Sequence, residues 1–292
     1  MHAPSYQRHR PEQTLLYKLV EEYYPAFAER MSCEGRALPA YVRREFDEFL
    51  RCGRLGHGFL RVRCDSCHAE RLVAFSCKRR GFCPSCGARR MAEAAALLVD
   101  EVFPEQPVRQ WVLSFPFPLR FLFASRPEVM EKVLGIVYRV ISTHLIQSAG
   151  FTRGSAHTGA VTLIQRFGSA LNLNVHFHML FLDGVYVERP DGQLRFRWDP
   201  PFGEEAGKVG GFSLHAGVSA RADQRDKLER LCRYISRPAV SEKRLSLTSN
   251  GLVRYQLKTP YRDGTTHVFF EPLDFLARLA ALVPKPRVNL TR

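Results

Sequence analysis

The chain has 292 residues, 45% hydrophobic and 25% charged, a balance that excludes a disordered chain and supplies enough apolar side chains for more than one core. Its 43 Lys and Arg against 29 Asp and Glu give a formal net charge of +14, an excess that points to a polyanionic partner, though a generically basic soluble protein has the same sign. No run reaches the roughly 18 to 20 apolar residues of a membrane span, and the opening MHAPSYQRHR carries no apolar signal-peptide core, so the expected location is the cytoplasm.

From about Pro11 to Cys52, EQTLLYKLVEEYYPAFAERM and YVRREFDEFLRCG have the periodicity of two amphipathic helices, the second closed by Gly53. Next comes CDSCHAERLVAFSCKRRGFCPSC, which holds five of the eight cysteines. In a reducing compartment such crowding points to metal rather than disulfides. Two CxxC pairs separated by 15 residues predict a structural Zn²⁺ site at Cys64, Cys67, Cys83 and Cys86. Cys77 is an alternative ligand, and Cys52, His57 and His68 lie near enough in sequence to compete. Four thiolates would leave no open coordination position, so this zinc should hold a small module together. The surrounding Arg61, Arg63, Lys78, Arg79, Arg80, Arg89 and Arg90 suit a nucleic-acid surface, or simply a solvated basic face.

RRMAEAAALLVDEVFP predicts a helix ended by Pro104. VRQWVLSFPFPLRFLF reads as a strand broken by prolines, and RPEVMEKVLGIVYRVISTHLIQSAG as a long helix with Gly150 past its end. GAVTLIQRFG and LNLNVHFHMLFLDGVYVE predict two strands of a hairpin joined by GSA, with GQLRFRW adding a strand after the turn PDG. A helix follows from Ala220 to Pro238, then a hairpin from GLVRYQLKTPY and TTHVFFEP around RDG, and a last helix LDFLARLAALV ending before Pro284. The expected division is a helical segment over 1–53, a zinc-binding module over 54–103 and a third domain over 104–292.

Strand alternation places Leu171, Leu173, Val175 and Phe177 on one face and Asn172, Asn174, His176 and His178 on the other. Two imidazoles one strand repeat apart can converge on one divalent cation, although an isolated His-x-His is more often incidental. In KLERLCRYISRP the residues Leu228, Leu231, Cys232 and Ile235 form the buried helical stripe. Tyr234 falls beside it, toward the polar side, with Arg230 and Arg237 a turn away in either direction. A tyrosine between arginines is placed to meet a phosphate; a half-buried packing tyrosine would look the same.

Histidine, bulky apolar residue, histidine on a strand, with a tyrosine on a later helix, resembles the HUH endonucleases, which nick single-stranded DNA. The zinc segment, WVLSFPFPLRF, GAVTLIQRFGSALNLNVHFHMLFLDGVY, RYISRPAVSEKRL and YQLKTPYRDGTTHVFFEP, in that order, resemble more closely the rolling-circle transposases of the insertion-sequence-ninety-one family, including its ISCR branch. The resemblance covers the chain from about Gly53 to its end. It implies an α+β protein: N-terminal helices and a zinc module, then an HUH nuclease domain with a central antiparallel sheet flanked by helices.

It further implies Tyr234 as the nucleophile, and His176 and His178 as ligands of Mg²⁺ or Mn²⁺. A hard cation needs oxygen ligands besides two imidazoles, for which Gln165 is the first candidate and Asn174 and Asp183 weaker ones. Arg230 and Arg237 would contact DNA phosphate, and the partner would be single-stranded DNA at transposon ends and target. Phe115, Phe117 and Phe121 are candidate stacking platforms, at least one of them expected in the core. Two-tyrosine members carry a second tyrosine four residues on, where this chain has Pro238, so a single-tyrosine enzyme is expected. The family pattern continues beyond PKPRVNLTR, which makes a truncated copy the expectation at the C-terminus. No P-loop pattern is present, so no nucleotide cofactor is expected. The alternatives are a zinc-dependent DNA-binding protein without catalysis and a replication initiator built on the same nuclease core.

Overall fold

The computed structural model describes residues 10–198, 206–286, 288, 290 and 291; the first nine residues of the expected helical segment, and 199–205, lie outside the described residues. In chain order the elements are α1 (Leu15–Cys33), α2 (Ala40–Arg51), β1 (Phe59–Arg63), β2 (Glu70–Ala74), α3 (Pro84–Leu97), β3 (Val108–Ser114), α4 (Phe117–Ser125) and α5 (Pro127–Ser148). They continue with β4 (Ala156–His157), β5 (Ala160–Phe167), β6 (Leu173–Leu182), β7 (Gly184–Glu188), β8 (Leu194–Trp198), β9 (Ala206–Val209) and β10 (Phe212–Ala220). The last are α6 (Arg225–Ser236), β11 (Leu245–Leu247), β12 (Val253–Gln256), β13 (His267–Phe270) and α7 (Pro272–Leu282). The protein is α+β.

Two compact units are present, and neither is one continuous segment. The first takes the chain up to Ala88 together with Ser169–Asn172 and Pro238–Pro286; the second takes Arg89–Gly168, Leu173–Arg237 and the residues after 286. The contacts thus group the chain differently from the contiguous boundaries at 53 and 103. The residues after Pro238 return to the N-terminal helices, where α7 packs against α1.

In the first unit Thr14 caps α1 by accepting the N–H of Tyr17, and α2 buries Val42, Phe46 and Phe49 at helical spacing. An aromatic core follows: Tyr24 stacks on Phe46 at 4.6 Å, and Phe82 meets Phe46 at 4.8 Å and Phe49 at 5.2 Å. The strands β1 and β2 form a hairpin, and β11, β12 and β13 an antiparallel sheet containing the expected hairpin around RDG.

The second unit is built on a five-stranded, wholly antiparallel sheet in the order β5-β6-β3-β10-β9. One face, with Trp111, Ile164, Val175, Phe177, Met179 and Phe181, packs against Phe123, Met130, Leu134, Ile141 and Leu145 of α4 and α5. The other, with Val108, Leu163, Leu180 and Leu182, is covered by Leu228, Cys232 and Ile235 of α6. Both faces of β6 are therefore dry.

Three expectations change. VRQWVLSFPFPLRFLF is strand only to Ser114; Pro116 then precedes and Pro118 lies in the first turn of α4, so the prolines start a helix there. The strand through HFHMLFLDGVYVE breaks at Asp183, and β7 joins a separate sheet of order β4-β7-β8. A Cβ on Gly184 at this break would lie 2.3 Å from the Arg197 carbonyl oxygen, which requires glycine. The hairpin of β9 and β10 had no counterpart among the expected elements; it turns at Gly210 and Gly211, both at positive φ.

Asp183 is not free for a metal. Both its oxygens accept from Arg109, at 2.8 and 2.9 Å, and Arg109 also donates to the Ala216 carbonyl at 2.9 Å, with both side chains buried. The pair ties the end of β6 to β3 and β10. Arg109→Ala, which leaves the carboxylate buried alone, should cost about 3–5 kcal/mol, whereas Arg109→Met with Asp183→Leu should recover most of it. Urea unfolding of the three proteins measures the difference.

Candidate metal centres and active site

Among the described residues, one group of metal-type side chains gathers: Cys52, Cys77, Cys83 and Cys86, with sulfurs all within 4.8 Å of one another. The separations Cys52–Cys86, Cys77–Cys86 and Cys52–Cys83 are 3.6, 3.5 and 3.8 Å. A tetrahedral zinc with Zn–S near 2.3 Å requires sulfur–sulfur edges of about 3.8 Å, so the four fit the ion. Crowding polarises them. Hydrogen bonds beginning with that from Cys52 hold the Cys86 thiol well below its usual range, and the same contacts push Cys83 up.

The gathered set differs from the expected one. Cys83 and Cys86 belong to the cluster, as does the alternative Cys77, but Cys64 and Cys67 do not; both are exposed in the connection between β1 and β2, and Cys52 completes the four. Cys52 is the C-cap of α2 and accepts the Cys77 N–H at 3.2 Å. The loop before Cys83 is held on α2 by Glu45, which accepts the Gly81 N–H at 2.8 Å, and by the ion pair of Arg79 with Glu48. Burial raises the Glu45 carboxyl, while Arg79 holds Glu48 low. Cys86 lies in the first turn of α3, whose N-terminal dipole favours a thiolate.

The second constellation lies on the α6 face of the five-stranded sheet. His176 and His178 share that face of β6, with rings 4.8 Å apart, and Gln165 on β5 is directly opposite His176. All three are buried. Between the pairs Gln165–His176 and Phe167–Leu173, β6 has one residue more than β5, a β-bulge. There the Asn174 carbonyl accepts from Nδ1 of His176 at 2.8 Å, which turns the Nε2 lone pair outward from that bond. Nδ1 of His178 lies 2.9 Å from Nε2 of Gln110, a buried residue of β3 that the sequence reading did not single out.

Burial pushes both imidazoles down, His178 to about 2, with the positive charge of Arg237 adding to the effect on each. They are neutral at ordinary pH, the form that ligates metal. Nε2 of His178, Oε1 of Gln165 and Oδ1 of Asn174 are buried with no hydrogen-bond partner, an expensive state that a cation would relieve. The amide oxygens are ligands of Mg²⁺ and Mn²⁺ and the imidazoles ligands of transition metals, so the set suits a divalent cation.

Tyr234 stands at this group. Its ring is 5.8 Å from that of His178, centre to centre and nearly perpendicular, while the guanidinium of Arg237 lies 4.2 Å from its centroid and donates to its carbonyl at 2.6 Å. Gln165 donates through Nε2 to the carbonyl of Ile235, fastening the end of α6 to β5. Of the expected stripe Leu228, Cys232 and Ile235 are buried and Leu231 partly so, with Tyr234 partly exposed beside it. Arg230 is exposed one turn earlier on the helix. Of the three phenylalanines, Phe115 is core, in edge contact with Phe123 and Phe177, and Phe117 and Phe121 are exposed on α4.

Residues 19–115 match the family model of the transposase zinc-binding domain of insertion-sequence-ninety-one elements, and residues 159–200 and 201–292 match a transposase family model. No curated protein and no solved structure matches the chain. No helix among the described residues is long and apolar enough to cross a membrane.

Cys52→Ser or Cys77→Ser should lose bound zinc and destabilise the first unit, whereas Cys64→Ser with Cys67→Ser should keep the metal of the four-cysteine cluster; elemental analysis and thermal melting distinguish them. The histidines carry a pH signature in metal-free protein. Their folded values lie below the unfolded value near 6.5, so the unfolded chain takes up protons the folded one refuses, and stability falls as pH drops below about 6.5. For His178 the loss is about 1.4 kcal/mol per pH unit. Melting in EDTA between pH 7 and 5 should show a shallower acid loss for His178→Gln than for the wild type.

Proposed function

Because the chain belongs to the insertion-sequence-ninety-one family of transposases, we propose that it nicks and rejoins single-stranded DNA at the ends of its element, with Tyr234 as nucleophile. The observation that carries this reading is the juxtaposition of Tyr234 with two buried, neutral histidines whose site contains unsatisfied nitrogen and oxygen atoms. A structural tyrosine at a helix end has no need of them.

His176 and His178 would hold Mg²⁺ or Mn²⁺ with Gln165 as oxygen ligand, and the bound ion would supply Lewis-acid polarisation of the scissile phosphate. Tyr234 attacks phosphorus in line, losing its phenolic proton to solvent. The bond from phosphorus to the 3′ oxygen breaks, that oxygen takes up a proton and leaves as a 3′-OH, and the 5′ side stays joined to Tyr234 as a phosphodiester. Attack by another 3′-OH reverses the step and joins strands, so the bond energy is conserved without a nucleotide cofactor. Arg237, beside the Tyr234 ring, places positive charge where the phosphate must approach, and Arg230 extends it along α6. An unpaired strand suits this arrangement, because a tyrosine on a helix packed over a sheet needs close approach of one backbone.

A single tyrosine here favours one covalent intermediate at a time, since position 238, where a second would stand, is proline just past the end of α6. A replication initiator would use the same chemistry, but the match to the transposase zinc-binding domain favours transposition.

Labelled single-stranded oligonucleotides from the element's ends, incubated with protein and Mn²⁺, should give a covalent adduct that Tyr234→Phe abolishes while retaining DNA binding. Arg237→Ala should slow adduct formation about 10- to 100-fold, the effect of one charge-assisted phosphate contact. Equal adduct from Tyr234→Phe would move the nucleophile elsewhere, and binding without an adduct from any protein would leave a zinc-dependent DNA binder.

A further inference from the structure

Gln110 is a buried polar residue on the central strand β3, on the face toward α6 between Val108 and Val112. It reaches diagonally across the ladder: Val112 is the partner of His178 and Gln110 that of Leu180, which puts Gln110 and His178 on one face. Its amide meets Nδ1 of His178 at 2.9 Å, and Nε2 of the same ring is buried with no partner. The two nitrogens of a neutral imidazole are linked, since whichever carries the proton leaves the lone pair on the other.

The contact therefore decides what His178 can do. With the amide nitrogen donating to Nδ1, the ring proton sits on Nε2, and Nε2 cannot bind a cation. With the amide turned over, Oε1 accepts from Nδ1–H and Nε2 offers its lone pair. A neutral amide serves both states, whereas a carboxylate or a carbonyl can only accept. The partner of His176 is different in kind, because a backbone carbonyl can only accept and holds Nδ1–H permanently.

Resting on the nicking reading above, we propose that Gln110 is the positioning residue that selects the tautomer of His178, and that its amide turns over when a divalent cation binds. His176 is the fixed ligand and His178 the switchable one. Gln110 touches neither metal nor substrate; it acts through the ring, as the hydrogen-bond partners of metal-bound histidines generally do.

The test uses the full chain with nitrogen-labelled histidine. Nitrogen–proton correlation spectra report the tautomer of each ring in EDTA and with diamagnetic Mg²⁺, and titration with Mn²⁺ gives affinity. In wild type the proton on His178 should move from Nε2 to Nδ1 when Mg²⁺ is added, while His176 keeps Nδ1–H throughout. Gln110→Glu, which only accepts, should show Nδ1–H on His178 even in EDTA and bind Mn²⁺ at least as tightly as wild type. Gln110→Leu should lose the fixed tautomer and bind Mn²⁺ about 10- to 100-fold more weakly. Should the leucine variant fail to fold, the glutamate variant alone decides. A His178 tautomer that is the same in wild type and Gln110→Glu in EDTA, with unchanged Mn²⁺ affinity, overturns the role of Gln110. If wild type still forms the Tyr234 adduct in that case, the nicking reading stands without it. If wild type neither binds Mn²⁺ nor forms the adduct, both fall.

Discussion

Strand β6 is hydrogen-bonded along both edges and covered on both faces, and the organisation of the second unit follows from that confinement. A strand with two buried faces has no solvent side on which to place polar residues. Its apolar residues Val175, Phe177, Met179 and Phe181 meet α4 and α5, and the alternate positions His176 and His178 must then lie under α6. Water is excluded there, which keeps the imidazoles neutral, and α6 is the element that carries Tyr234. The same packing that desolvates the histidines thus delivers the tyrosine to them.

The cost of two buried imidazoles is met unequally. The bulge in β6 turns the Asn174 carbonyl to His176, so a backbone irregularity supplies a fixed acceptor. His178 is met by an amide from the next strand. Nε2 of His178, Oε1 of Gln165 and Oδ1 of Asn174 remain without partners, and the His178 ring and the Gln165 amide adjoin Tyr234. Native proteins rarely bury several such atoms together without a ligand to occupy them. The first unit shows the opposite economy: the four sulfurs of the zinc cluster have tetrahedral spacing and leave no position open, so that centre braces α2, its following loop and the start of α3.

Much of this was legible in the sequence, and the failures share a cause. Period-two alternation around HFH gave the shared face of the histidines, and the position of Gln165 in the preceding strand of a short hairpin gave its place opposite His176. The stripe Leu228, Cys232, Ile235 placed Tyr234 at its edge for the same local reason. The zinc ligands misled because CxxC is also a local signal. Cys64 and Cys67 satisfy the spacing, yet Cys52 enters through the end of a helix positioned by an aromatic core, and no spacing rule carries that information. Asp183 looked like a ligand until Arg109, 74 positions away in sequence, took both its oxygens. Gln110 was invisible for a related reason: a polar residue between apolar neighbours on its strand face acquires meaning only through the register of β3 against β6.

The central claim is that His176, His178 and Gln165 form a divalent-cation site within reach of Tyr234. A crystal of the protein soaked in Mn²⁺, measured above and below the manganese edge, tests it directly. The account predicts an anomalous peak bounded by Nε2 of both histidines and Oε1 of Gln165, on the Tyr234 side of the sheet. A fully occupied manganese peak elsewhere, with the two rings still unligated under α6, would contradict it.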